Sequence, residues 1–85
     1  MASIAIRLLD NEWKEVGAIA HNGQFSGGGV CEIVAADSLP AVDAIMPQTK
    51  QVVTKVQLFY AAPASGSWYV RNNGKLTATY SYTEI

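Results

Sequence analysis

Few side chains in this sequence could carry chemistry, and their spacing is poor for it. There is one histidine, His21, and one cysteine, Cys31. Nucleophilic catalysis needs a base that takes a proton from Ser or Cys near neutral pH. His21 stands beside Asn22-Gly23, a pair favoured in tight hairpin turns, and no neighbouring residue supports a triad built on it. Asp10, Asp37 and Asp43 show no metal-ligand spacing with His21 or Cys31 and read as caps and turn residues. Gly27-Gly28-Gly29 is followed neither by Lys-Ser/Thr nor by a helix that could offer an N-terminal dipole, so it reads as a bend. The expectation is therefore a non-enzyme with no catalytic, cofactor-binding or metal-ligating residue.

Cys31 lies in the apolar run at 30–34 and cannot form a disulfide within its own chain. It reads as a small buried hydrophobe, and the fold must hold without a staple, which fits assembly in a reducing cytoplasm. Trp13, Trp68, Tyr69, Tyr80 and Tyr82 form the other notable set. Rows of exposed aromatics on a β surface serve sugar binding, but in a small domain rings that bury ~150–250 Å² each more often make the core. Trp68 and Tyr69 are adjacent and so point to opposite faces of a strand, leaving one of them for the core at most and the other as a contact residue.

The elements that must position these residues are strands. At 75–83, Leu76, Ala78, Tyr80 and Tyr82 share one face while Lys75, Thr77, Thr79, Ser81 and Thr83 share the other. Residues 67–71 are β-branched and aromatic, and Asn72-Asn73-Gly74 predicts a hairpin between the two runs. Residues 49–60 read as one long strand with apolar groups on both faces, Val52, Val56, Leu58 and Tyr60 against Val53 and Phe59, so that one side meets a neighbouring subunit. Weaker alternation marks strands at 4–9, 13–20, 24–26 and 30–35, with turns at Asp10-Asn11 and at His21-Asn22-Gly23. Residues 37–46 are too short for more than a helical turn or an ordered loop. Six or seven short strands predict an all-β fold, a small antiparallel β-sandwich or barrel.

A chain of 85 residues makes one domain with a thin core. With 49% hydrophobic and only 15% charged residues, apolar surface remains after that core closes, which points to a homo-oligomer. A formal net charge of -1 removes the basic footprint of a nucleic-acid binder. Arg7, Asp10, Glu12, Lys14 and Glu15 interrupt the apolar start, so no run approaches the ~18–20 residues of a membrane span; the expectation is a soluble chain without a secretion signal.

Three blocks, at 11–16 (Asn-Glu-Trp-Lys-Glu-Val), 28–40 (from Gly28-Gly29-Val30 to Ser38-Leu39-Pro40) and 68–79 (from Trp68-Tyr69-Val70-Arg71 to Thr79), give the chain a resemblance to small β-sandwich structural proteins of tailed bacteriophages in decoration, head-fibre and tail-associated positions. Met46-Pro47-Gln48-Thr49 departs from the Pro-Gly turn common before the middle strand of such domains. The resemblance implies a virion structural role, assembly in the host cytoplasm, other virion proteins as partners, and no active site to transfer. It leaves 1–10 as an N-terminal strand or arm and 11–85 as the sandwich domain. The arm is favoured, because 1–9 lies outside the matched blocks and Asp10-Asn11 makes a polar hinge. Candidate partner contacts are Ile4, Ile6, Leu8, Val53, Phe59, Tyr69 and Arg71, with Arg71 either solvating a strand end or pairing with a carboxylate of an adjoining subunit. The alternative is a carbohydrate-recognition module on a virion exterior.

Overall fold

The computed structural model describes residues 4–9, 12–27, 30–41, 49–52, 55–73 and 77–85. Among them are eight strands and no helix: β1 (Ile4–Leu8), β2 (Lys14–Gly17), β3 (His21–Gly27), β4 (Cys31–Ala36), β5 (Lys50–Val52), β6 (Leu58–Tyr60), β7 (Ser67–Asn72) and β8 (Ala78–Glu84). They form two four-stranded antiparallel sheets in the orders β1-β8-β3-β6 and β2-β7-β4-β5. The protein is a small β-sandwich, one of the two architectures, sandwich or barrel, that the sequence predicts.

The alternation is clearest in β8, where Ala78, Tyr80 and Tyr82 are buried while Thr79, Ser81 and Thr83 lie on the other side. In register with them, β1 supplies Leu8, Ile6 and Ile4, and β3 sets Phe25 beside Tyr80 and Gly23 beside Tyr82, with His21 one step on beside Glu84. The second sheet closes this layer with Val16, Cys31, Ile33 and Val70, while Val52, Tyr60 and Trp68 seal its margin. Complete burial of a side chain such as Leu8 contributes roughly 1.5–3 kcal/mol, so a core of this size depends on each member.

Several local expectations fail, for a common reason: most connections cross from one sheet to the other. The hairpin between 67–71 and 75–83 does not form, since β7 and β8 lie in different sheets. Crossing brings Val70 and Tyr80 into one interior cluster from opposite sheets. The long strand at 49–60 is divided. β5 and β6 belong to opposite sheets, and between them Lys55 adopts φ 66° with its N–H donating to the Phe25 carbonyl at 2.7 Å. The apolar pattern on both faces thus reflects two strands that each turn one side inward. Val53 lies outside the described residues, as do Asp10, Asp43, residues 42–48 and Gly74 to Leu76.

His21-Asn22-Gly23 opens β3 and is not a turn. The arm expected at the N-terminus is also corrected for residues 4–8. β1 pairs with β8 along all five residues, and Leu8 and Ile6 pack on the chain's own core.

The central strands β4 and β7 are buried on both faces. Cys31 and Ile33 face the main core, while Glu32 and Val34 lie on the far side of the sheet with their register partners Arg71 and Tyr69. There Trp13, Val34 and Tyr69 form a second apolar cluster, with Ala36 packed against it. Tyr69 and Trp68 therefore both bury apolar surface, on opposite faces of β7, and not one alone as expected.

Candidate functional site

The titratable groups that could act in chemistry are already engaged inside the fold. His21 is fully buried, stacked on Tyr60 at 5.2 Å between ring centroids and met edge-on by Tyr80 and Tyr82. Its Nδ1 lies 3.3 Å from the Ile19 carbonyl and its Nε2 lies 2.7 Å from the Tyr80 hydroxyl. A carbonyl can only accept, so Nδ1 carries the proton and Nε2 accepts from Tyr80. Burial holds the imidazole below its ordinary range, opposed by the Ile19 carbonyl and by the charge of Glu84. Burial also raises the Tyr80 phenol far above its usual range, with Tyr60 and Tyr82 adding to the effect. The ring is thus neutral, and its acceptor nitrogen faces a phenol that stays protonated.

Cys31 is buried, and burial together with the Glu32 carboxylate raises its thiol. Reactivity at sulfur requires the thiolate, so the thiol is a packing group here, as its apolar context predicts.

Arg71 and Glu32 form an ion pair on the outer side of the second sheet. Arg71 Nε and Nη2 donate to Glu32 Oε1 at 3.0 and 2.8 Å. The guanidinium carbon stands 4.4 Å from the Trp13 ring centroid, so the cation is capped by an aromatic face as well. Arg71 is only 5% exposed, which removes it from the partner contacts expected from sequence: its carboxylate comes from its own β4. Tyr69 is likewise buried, and its phenol is raised by burial and by the neighbouring Glu15 carboxylate. Leu8, fully buried, is a core residue too.

The described surface carries hollows, of which two matter here. A cleft of about 360 Å³ is lined by Ala35, Ala36, Asp37, Pro63, Ala64, Ser65 and Trp68. Ser65 donates to Asp37 at 2.9 Å across its rim, and Trp68 Nε1 donates to the Ala61 carbonyl at 2.8 Å. A shallower hollow of about 140 Å³ lies among Asn22, Gln24, Gln57, Ser81, Tyr82 and Thr83. The first offers a hydroxyl, an indole and the Asp37 carboxylate, and the second only neutral amides and hydroxyls.

Large apolar side chains also face outward. Phe59 is 59% exposed and Ile85 61%, and Ile4, Ile19, Leu39, Val56 and Leu58 are exposed as well. Phe59 pairs with Asn22 on β3, which pairs in turn with Thr83 on β8, so all three lie on the outer side of the first sheet. The Ile85 N–H donates to the Ala20 carbonyl at 3.0 Å, which carries the β8–β3 ladder one step further and sets Ile85 and Ile19 at the same end of that sheet. Of the expected contact residues, Phe59, Ile4 and the half-buried Ile6 remain at the surface. Sequence reasoning missed Glu32, Ile19 and Ile85. A carboxylate between Cys31 and Ile33 in an apolar run was the signal that a buried partner was required.

No protein family, curated protein or solved structure matches the chain.

Proposed function

We propose that the chain is a non-enzymatic structural subunit of a bacteriophage virion, a capsid decoration protein or another symmetric virion-surface subunit, assembled in the host cytoplasm and bound to neighbouring virion proteins. The observation that carries the reading is the outward apolar set at one end of the first sheet, Phe59, Ile85 and Ile19, on a domain whose His21, Cys31 and Arg71 side chains are engaged inside the fold. Exposed large hydrophobics gathered in one region mark protein contacts. A weakly charged β domain without a staple suits a module repeated by symmetry. The placement in a virion rests on the sequence resemblance at 11–16, 28–40 and 68–79. The sugar-binding alternative has less support, since Trp13, Tyr69, Tyr80 and Tyr82 are buried and, of that aromatic set, Trp68 alone lines the larger cleft.

Mass spectrometry of gradient-purified particles from the phage that encodes the chain tests the reading. Peptides of this chain at a fixed copy number per capsid, lost when Phe59 and Ile85 are both changed to Lys, are the expected result. Particles devoid of the chain would overturn the virion assignment.

A further inference from the structure

The two sheets expose four strand edges, and one of them lacks the features that keep edges from pairing. β5 and β6 are three residues long, too short to template much of a ladder. β2 is broken by a register shift between Glu15 and Gly17 and carries Lys14 and Glu15. β1 has five residues in unbroken register with β8, with no proline and no bulge, and Arg7 is its one charge. Among the described residues no strand pairs with its other side. Its inward row, Ile4, Ile6 and Leu8, runs from 40% exposed to fully buried, so an apolar strip leads from the core out to the open edge.

We infer that β1 pairs antiparallel with β1 of a second copy about a twofold axis at Ile6, joining the two first sheets into one of eight strands. The register follows from face matching and charge. Side chains alternate between faces, so a twofold pairing that keeps both inner rows on one side must set even residues against even residues and odd against odd. Centred on Ala5, the pairing leaves only Ile4 and Ile6 matched around the axis and runs off the end of the strand. Centred on Arg7, it sets two guanidinium groups directly opposite, which is destabilising. Centred on Ile6, it uses all five residues of β1: Ile6 meets Ile6, Ile4 meets Leu8, and Arg7 meets Ala5 twice, with no like charges opposed. An isologous contact of this kind closes on itself as a dimer and leaves the patch around Phe59 and Ile85 open for other partners. The inference rests on the homo-oligomeric part of the proposed function and not on its placement in a virion.

Sedimentation equilibrium of the full chain tests the seam. A five-residue edge is a small interface, so dissociation constants of about 0.1–1 mM are expected, in the range of weak and transient contacts. Ala5→Arg sets arginine against Arg7 at two symmetric positions and should weaken dimerisation between about twofold and thirtyfold. Arg7→Glu alone should change it little, and the double variant Ala5→Arg/Arg7→Glu should bind as tightly as wild type or tighter, through two cross-strand ion pairs. Both positions are exposed, so the melting temperature of the monomer reports that each variant remains folded. A strict monomer at 1 mM on the scale set above, or association indifferent to the charge exchange, would overturn the dimer. A chain that stays monomeric while its β1 amides become protected from exchange only on purified particles would assign the edge to a different protein, and likewise overturn it. Charge-dependent dimers of a chain absent from particles would refute the virion reading and leave this one standing.

Discussion

The Tyr80 ring lies across the backbone of Gly23 on the adjacent strand, and the absence of a side chain there lets its hydroxyl reach His21 Nε2 at 2.7 Å. A β-carbon placed on Gly23 would coincide with that hydroxyl. Glycine inside a strand is ordinarily a weak point, but here an aromatic from the neighbouring strand covers it and completes a buried hydrogen bond. Gly23→Ala must push the Tyr80 ring away, overpacking the core and leaving a buried imidazole nitrogen without its donor. A loss of about 3 kcal/mol is expected in urea unfolding. A shift below about 1 kcal/mol, the scale of an unimportant surface change, would show that Tyr80 can move freely.

The same imidazole makes stability depend on pH. Burial holds its folded pKa below the ordinary 6.5, so the unfolded chain binds the proton more readily than the native one. Stability is then complete above 6.5 and falls as pH drops from there through the folded pKa. His21→Gln should flatten that slope in the window just below 6.5, before the carboxylates titrate. Melts at closely spaced pH values check this, and an equal slope in both proteins would mean that His21 takes up its proton equally in the native and unfolded states.

Arg71 and Glu32 are expected to be costly to break singly and tolerable to replace together. Arg71→Met takes the cation from a buried carboxylate and should destabilise by roughly 3–5 kcal/mol, and Glu32→Leu, which takes the carboxylate from a buried guanidinium, should destabilise as well. The double variant keeps packing on Trp13 and should recover most of that loss. A double-mutant cycle with a coupling near zero would show that solvent reaches the pair.

Phe59 separates assembly from folding. It is more than half exposed on the outer side of the first sheet, so Phe59→Lys should move stability by no more than about 0.5 kcal/mol. Its binding to purified particles should nevertheless fall by at least about tenfold, the order expected for an aromatic anchor at a contact. Unchanged binding would move the contact to another part of the surface.

Deletion of residues 1–9 distinguishes an edge strand from an arm. With β1 gone, the Tyr80 and Ala78 side of the core loses Leu8 and Ile6, and about 2–5 kcal/mol should go with the buried Leu8 alone. Thermal melts that barely change would return the segment to the role of an arm.

Alternation of apolar and polar residues determined the fold class by itself, because the side-chain period of a strand is a local property: Ala78, Tyr80 and Tyr82 turn inward wherever their strand is placed. The packing role of Cys31 was legible too, since Val30, Ile33 and Val34 make most of the run around it apolar. Sheet assignment was not legible. Asn72-Asn73-Gly74 and His21-Asn22-Gly23 look alike as local turn signals, yet after β7 the chain crosses to the opposite sheet, and the second triplet is itself the start of a buried strand. A turn propensity reports the backbone freedom of two or three residues and says nothing of which strand lies alongside, which is decided by how all the apolar faces close at once. That closure also fixed the site residues. Arg71 is spent on Glu32, which lies 39 residues away in sequence, and His21 on Tyr80, 59 residues away, and no local pattern encodes pairings at such separations.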